Sequence, residues 1–298
     1  LNLEHSETLR GVKSSDGKQI VASKLQVQEA DTKLVMTDES NSSAIIYSDL
    51  SRGKVVSEWK PTGSAIKDIA LNSGKQQSLQ PDPVFLALSE QAIVRVDPRV
   101  QKGVVSEHKY KSNYHFDKIL GVAGKGTLVT SNGGDIRFFG DLQGNAKNLI
   151  PSKYGQSALM LDHSKDGNLL LLTYSTMILL MPTETKEGSA FGKTFRKDRK
   201  PRLLELSVNP QAMVRHGISK LDFISAKFDE KENELENYIV AVTGQFIVLW
   251  VLSDVAKGKY LTSYVKRMDD TVVAGEFMYN QDDLLAAFRK NLTVQELR

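Results

Sequence analysis

Short apolar β-type runs return along this chain at a nearly constant spacing, and that period limits the possible folds more than any other feature. The runs are AIIYSDL from Ala44, AIVRVDP from Ala92, DIRFFGDL from Asp135, MILLMPTE from Met177, FIVLWVLSD from Phe246 and NLTVQEL from Asn291. Measured between Ile45, Ile93, Ile136, Ile178, Ile247 and Leu292, the intervals are 48, 43, 42, 69 and 45 residues. Allowing for loops, four of the five fit the ~40–45-residue period of a four-stranded propeller blade.

Across a polar turn, each run is preceded by a second β-rich run: KLVMTDES, PVFLALSE, GTLVTSN, NLLLLTY, YIVAVTG and DLLAAFR. Gly133 and Gly134, Gly167 and Gly244 sit in such turns, where positive φ is needed, so the pairs read as hairpins. Upstream of five pairs lies a candidate innermost strand (SAIKDIALN, DKILGVAG, SALMLDHS, LDFISAKF, TVVAGEFM). Downstream lies an outermost one in VVSEWK, VVSEHKYK and YLTSYVKR. No window of eleven or more residues holds helical apolar spacing with a cap, which removes α/β folds. The expected fold is all-β, a WD-repeat-like β-propeller forming a single domain over residues 1–298. Six blades are countable, and chain ahead of Leu1 would permit seven. The last period ends at its third strand, so LNLEHSETL at the start is expected to supply the fourth and close the ring, removing exposed sheet edges.

The 69-residue interval is too short for two blades and instead holds an insertion at about 184–202, within PTETKEGSAFGKTFRKDRKPR. Lys193, Arg196, Lys197, Arg199, Lys200 and Arg202 fall within ten positions, with only Asp198 opposing them. Like charges repel, so this segment is expected to be a mobile loop that gains order when an acidic partner neutralises it. A second polar run, DEKENELE over 229–236, also reads as a surface loop.

Composition narrows the function classes. The absence of cysteine excludes disulfides and thiolate metal sites and suits a reducing compartment, the cytoplasm with the nucleus open. With 39 basic against 36 acidic side chains, the field is too balanced to recruit nucleic acid, and a membrane would be met only peripherally. The most apolar stretch, NLLLLTYSTMILLM, is 14 residues long and broken by Thr173 to Thr176, short of the ~20 a spanning helix needs. The opening LNLEHSETLR shows no signal-peptide pattern.

Motifs with chemical potential fail on spacing. GVAGKGT, Gly121 to Thr127, lacks the G-x-x-x-x-G-K-[ST] order of a nucleotide loop and is followed by a strand. DHSKDGN, Asp162 to Asn168, places Tyr174 where a calcium loop needs a bidentate glutamate. His5, His108, His115, His163 and His216 show no metal-ligand spacing. No G-x-S-x-G occurs, and Asp269 and Asp270 are neighbours that a strand would turn to opposite faces. No catalytic residue, metal or cofactor is therefore assigned. Trp250, in a third strand, reads as core; Trp59, near a blade edge, fits core and ligand contact about equally.

Taken together and in order, DLSRGKVVSEWK, RVDPR, GDIRFFGDLQGNAKNLIP, SKDGNLLLLTYSTMILLM, ISAKF, VTGQFIVLW and YVKRMDDTVVAGEF resemble the C-terminal WD-repeat-like domain of the vacuolar import and degradation protein 27 family. The likeness spans roughly Leu3 to Phe288. It departs from the family pattern at TYSTMILLM, where a cysteine-containing turn is usual, and at TGQF, where a Thr-Gly-Pro-aromatic turn is usual; both are hairpin turns. The resemblance implies a cytoplasmic, non-enzymatic protein-interaction scaffold in regulated protein degradation or vacuolar trafficking, with a further region ahead of the propeller. It supplies no motif of functional residues. Candidate partner-binding residues come from charge alone: Arg196, Lys197, Arg199 and Lys200 in the insertion, and Arg95, Arg137 and Lys266 on a charged rim. The expected partners are other proteins bound by a monomeric domain. The alternative is an anion- or acidic-membrane-binding module using residues 193–202.

Overall fold

The computed structural model describes residues 13–14, 17–28, 32–61, 63–72, 82–111, 113–122, 124–196, 199–229, 237–277, 283–288 and 292–296, with backbone alone at 276–277, 283, 285 and 292–296. The chain packs as two compact units, Leu1–Gly121 and Val122–Arg298. Among the described residues there are six sheets of the blade type, the number counted from the repeat.

In the first unit, β1 (Ala22–Gln28), β2 (Lys33–Asp38), β3 (Ile45–Asp49) and β4 (Lys54–Trp59) form an antiparallel sheet in chain order. The same order repeats in β5 (Ile66–Leu71), β6 (Phe85–Ser89), β7 (Ala92–Val96) and β8 (Val104–Lys109). The middle strands β3 and β6 are buried at every position, because both faces are covered; that is why IIYSD and FLALS read as unbroken β-runs. Outer strand β8 alternates half-buried and exposed, as a strand with one wet face must. Val35, Ile45, Tyr47, Trp59, Ile66, Ile69, Phe85, Ala87, Val94 and Val96 form one core cluster between these sheets. Strand β9 (Phe116–Val122) runs into the boundary between units. It lies hard against β5: a Cβ on Gly121 would fall 2.1 Å from the Leu71 carbonyl oxygen. The Ile119 N–H donates to the Asp68 carboxylate at 3.0 Å, so a carboxylate in one inner strand pins the next.

The second unit opens with β10 (Gly126–Ser131), β11 (Ile136–Phe139) and β12 (Asn148–Ile150), paired antiparallel in sequence. Strands β13 (Met160–His163), β14 (Leu169–Thr173) and β15 (Ile178–Pro182) follow. The chain then leaves the sheet through a small hairpin, β16 (Glu184–Thr185) and β17 (Gly188–Ser189), before β18 (Leu204–Leu206) returns beside β15 as the fourth strand. The long interval is thus an insertion between the third and fourth strands of one blade. Helix α1 (Pro210–His216) leads to β19 (Phe223–Phe228), β20 (Tyr238–Thr243) and β21 (Phe246–Val251); helix α2 (Leu252–Ala256) then precedes β22 (Ser263–Arg267), which completes that sheet. Strands β23 (Val272–Phe277), β24 (Asp283–Phe288) and β25 (Leu292–Glu296) form a sheet of three among the described residues. The segment expected to close it, LNLEHSETL, lies outside the described residues, as does 230–236 of the acidic run.

Neither helix was expected. Helix α1, at seven residues, is too short to hold an eleven-residue amphipathic window, yet its end signals are plain in the sequence: the Asn209 side chain accepts from the Gln211 N–H, Pro210 stands in the first turn, and Gly217 closes the helix at φ 67°. No helix among the described residues is long and apolar enough to cross a membrane.

The acid that trails several third strands has a structural use. The carboxylates of Asp49, Asp97 and Asp141 accept from the N–H of Arg52, Arg99 and Gln143 at 3.1, 3.0 and 3.0 Å. Each caps the turn to the fourth strand.

Candidate binding site on the basic insertion

The insertion is packed, which corrects the expectation of a mobile loop. The charge pattern conceals two apolar anchors, Phe191 and Phe195, which are 1% and 5% exposed. The Phe191 ring meets Phe138 edge-on at 5.2 Å between centroids. Two glycines make room for it: a Cβ on Gly126 would lie 2.9 Å from the Phe191 ring, and one on Gly140 would lie 2.4 Å from the Phe191 carbonyl oxygen. A single buried side chain then fixes the backbone. Asn148, at the start of β12, donates to the carbonyls of Ala190 and Lys193 at 2.6 and 2.5 Å and accepts from the Phe195 N–H at 2.9 Å. Those bonds answer buried backbone groups that would otherwise have no partner. The Lys200 amine donates to the Leu149 carbonyl.

So anchored, the segment encloses a cleft of about 340 Å³ lined by Pro182, Thr185, Lys186, Glu187, Arg199, Lys200, Pro201 and Arg202. Arg199 donates to Glu187 at 2.7 Å, which uses one of its five N–H donors and holds the guanidinium in place. Lys186 and Arg202 are exposed. The β16–β17 hairpin that carries Lys186 is itself tethered, since Glu184 accepts from the Lys125 amine at 2.6 Å and Asn168 accepts from the same amine at 2.7 Å. That contact also gives the lysine of GVAGKGT a structural use, tying two turns together.

Of the expected partner-binding residues, Arg199 and Lys200 line this cleft and Arg196 is exposed beside it; Lys197 lies outside the described residues. The three rim candidates stand elsewhere. Arg95, in the first unit, donates through Nε to Asn72 at 3.1 Å. Arg137, only 11% exposed, pairs with Asp135 at 3.3 Å. Lys266 is exposed on outer strand β22. Arg99 grips Asp97 through two nitrogens at 2.9 and 2.7 Å, and Arg137 donates to Asp135. Sequence reasoning named Arg202 only within the basic run 193–202, and missed Lys186 as a cleft residue and Asn148 as the anchor; an asparagine in QGNAKNLIP carries no signal without the fold.

The remaining polar groups of interest serve the architecture. Ser131 caps its hairpin by accepting from the Asp135 N–H at 3.1 Å. His163 is buried with Nδ1 2.7 Å from the Ser164 carbonyl, and Asp162 accepts from the Phe228 N–H at 2.9 Å. Among the described residues no three of His, Asp and Glu gather closely enough to hold a metal. Trp250 is fully buried, its indole N–H donating to Ser207 at 3.3 Å. Trp59 resolves to core as well, packed between Tyr47 and Phe85 at 6.0 and 6.4 Å.

Repeated four-stranded antiparallel sheets, inner strands pinned to one another and turns capped by acids define a WD40-like repeat domain carrying a basic insertion. The chain belongs to the VID27 C-terminal WD40-like domain family, whose pattern matches residues 1–297. It is 30% identical over 292 residues to vacuolar import and degradation protein 27 of Schizosaccharomyces pombe, covering 94% of this chain and 36% of that one. It is 26% identical to the Saccharomyces cerevisiae protein of the same name, covering 100% of this chain and 40% of that one. The chain thus spans well under half the length of these relatives.

Proposed function

We propose that this domain is a non-enzymatic docking platform for other proteins, acting in the vacuolar import and degradation process for which its relatives are named, and working in the cytoplasm. The observation that carries this reading is the preformed basic cleft: a rigid sheet holds exposed cations at fixed positions through Asn148, Phe191 and Phe195. Preorganised surfaces of this kind bind without first ordering themselves, which favours recognition. The serines, aspartates and histidine most suggestive of chemistry are engaged in caps and strand clamps, which supports binding over catalysis. The test is capture from cytosolic lysate at low salt with wild type and with Arg196→Glu/Arg199→Glu/Lys200→Glu, followed by mass spectrometry. The melting temperature of the variant is measured alongside, because Arg199 pairs with Glu187 and Lys200 donates to the Leu149 carbonyl. A salt-sensitive set of partners should vanish with the triple variant, because exposed charge attraction is screened beyond ~10 Å at 0.1 M salt. An unchanged set would reject the cleft as the docking place.

A further inference from the structure

We infer that the cleft between the β16–β17 hairpin and residues 199–202 recognises a phosphorylated serine or threonine side chain of a partner protein; this rests on the docking reading above and makes it chemically specific. Four cations, Lys186, Arg199, Lys200 and Arg202, border a space of about 340 Å³ that holds one carboxylate, Glu187. That leaves an excess of three formal positive charges around a volume suited to one or two side chains. A single carboxylate brings one negative charge and two oxygens. A phosphomonoester brings ~1.5–2 negative charges and three strong acceptor oxygens at one point, which is the closer match to several cations lining one cleft.

Arg199 has the features of a phosphate reader. Glu187 holds one nitrogen of its guanidinium at 2.7 Å, so the planar fork is oriented before any ligand arrives and its other donors remain to be shared. Pro182 and Pro201 form apolar wall on the same cleft and can pack against the peptide carrying the phosphate.

A membrane is the less suitable occupant. Among the described residues the exposed large hydrophobic side chains include none between 182 and 202, so the insertion offers no apolar wedge. Basic charge without such an anchor gives only weak, reversible membrane attachment. The site is also concave, whereas a bilayer presents a broad surface.

The test is fluorescence anisotropy of the 298-residue chain with labelled Gly-Gly-Ser-Gly-Gly, its phosphoserine form and its glutamate-for-serine form, alongside inorganic phosphate as competitor and vesicles containing phosphoinositides. The phosphopeptide should bind at least tenfold more tightly than either other peptide. Arg199→Gln and Arg202→Gln should each weaken it at least fivefold with unchanged melting temperature, while Lys257→Gln, at an exposed position just after α2, leaves it unaltered. Equal binding of the glutamate peptide, inorganic phosphate competing as tightly as the phosphopeptide binds, or attachment to vesicles alone would each overturn the inference. Phosphatase treatment of the lysate separates its fate from that of the docking reading. Partners lost with the triple variant but retained after phosphatase leave docking standing and refute phosphate recognition. Partners indifferent to the triple variant, with the phosphopeptide still bound by the cleft, refute the docking reading instead.

Discussion

Replacing Asn148 by alanine should release the insertion, and the size of the effect follows from its contacts. The side chain makes three hydrogen bonds to the Ala190 and Lys193 carbonyls and the Phe195 N–H, in a site where Asn148 itself is 5% exposed. At about 1 kcal/mol net for each bond, the docked state loses about 3 kcal/mol relative to a released one. That corresponds to an increase of roughly a hundredfold in the released population, since 1.4 kcal/mol is tenfold. Trypsin reads this directly, because the peptide bond after Lys193 belongs to a carbonyl that Asn148 holds, and cleavage under limiting protease tracks the opened population. Cleavage after Lys193 should therefore accelerate by one to two orders of magnitude in Asn148→Ala. If the wild type is cut there as fast as the variant, the insertion is not held by this residue and the preformed cleft falls with it.

Three further outcomes are expected. Gly103→Ala should destabilise the first unit by about 1–3 kcal/mol, since φ is 67° and a Cβ would lie 2.6 Å from the Trp59 indole; unchanged thermal melting would refute that contact. Burial raises the Asp68 pKa to about 6, above its ordinary 3.8, so the folded state holds a proton that the unfolded chain releases; stability should fall by about 1–3 kcal/mol as pH rises from 4 through 6, a slope that urea titrations should find absent in Asp68→Asn. Asp49 behaves oppositely: hydrogen bonds from Lys33 and Ser51 hold its carboxyl well below the usual range, so its stabilisation is present above pH 4 and lost on further acidification, and Asp49→Asn should show a shallower acid unfolding limb in circular dichroism.

The sequence by itself determined the number of sheets and the order of strands within them, because a side chain's period along a strand is fixed by backbone geometry and a covered face admits only apolar residues. IIYSD, FLALS and YIVAV announce middle strands for that reason, and VVSEHK announces an outer one. The hairpin glycines and the acids after the third strands are equally local, since φ and turn capping involve neighbours in the chain. The insertion's position was also legible, from one interval that broke the period. Its packing was not. Whether the insertion is a repelling loop or lends Arg199, Lys200 and Arg202 to the wall of a cleft depends on Asn148, some forty residues away along the chain, and on the room that Gly126 and Gly140 leave for Phe191. The same holds for Arg137, which looks like rim charge in DIRFFGD and is nearly buried beside Asp135. Local rules fix what each strand must be. Only tertiary structure decides which distant polar group completes a buried hydrogen bond, because that choice is set by proximity in space and leaves no spacing to read in the chain.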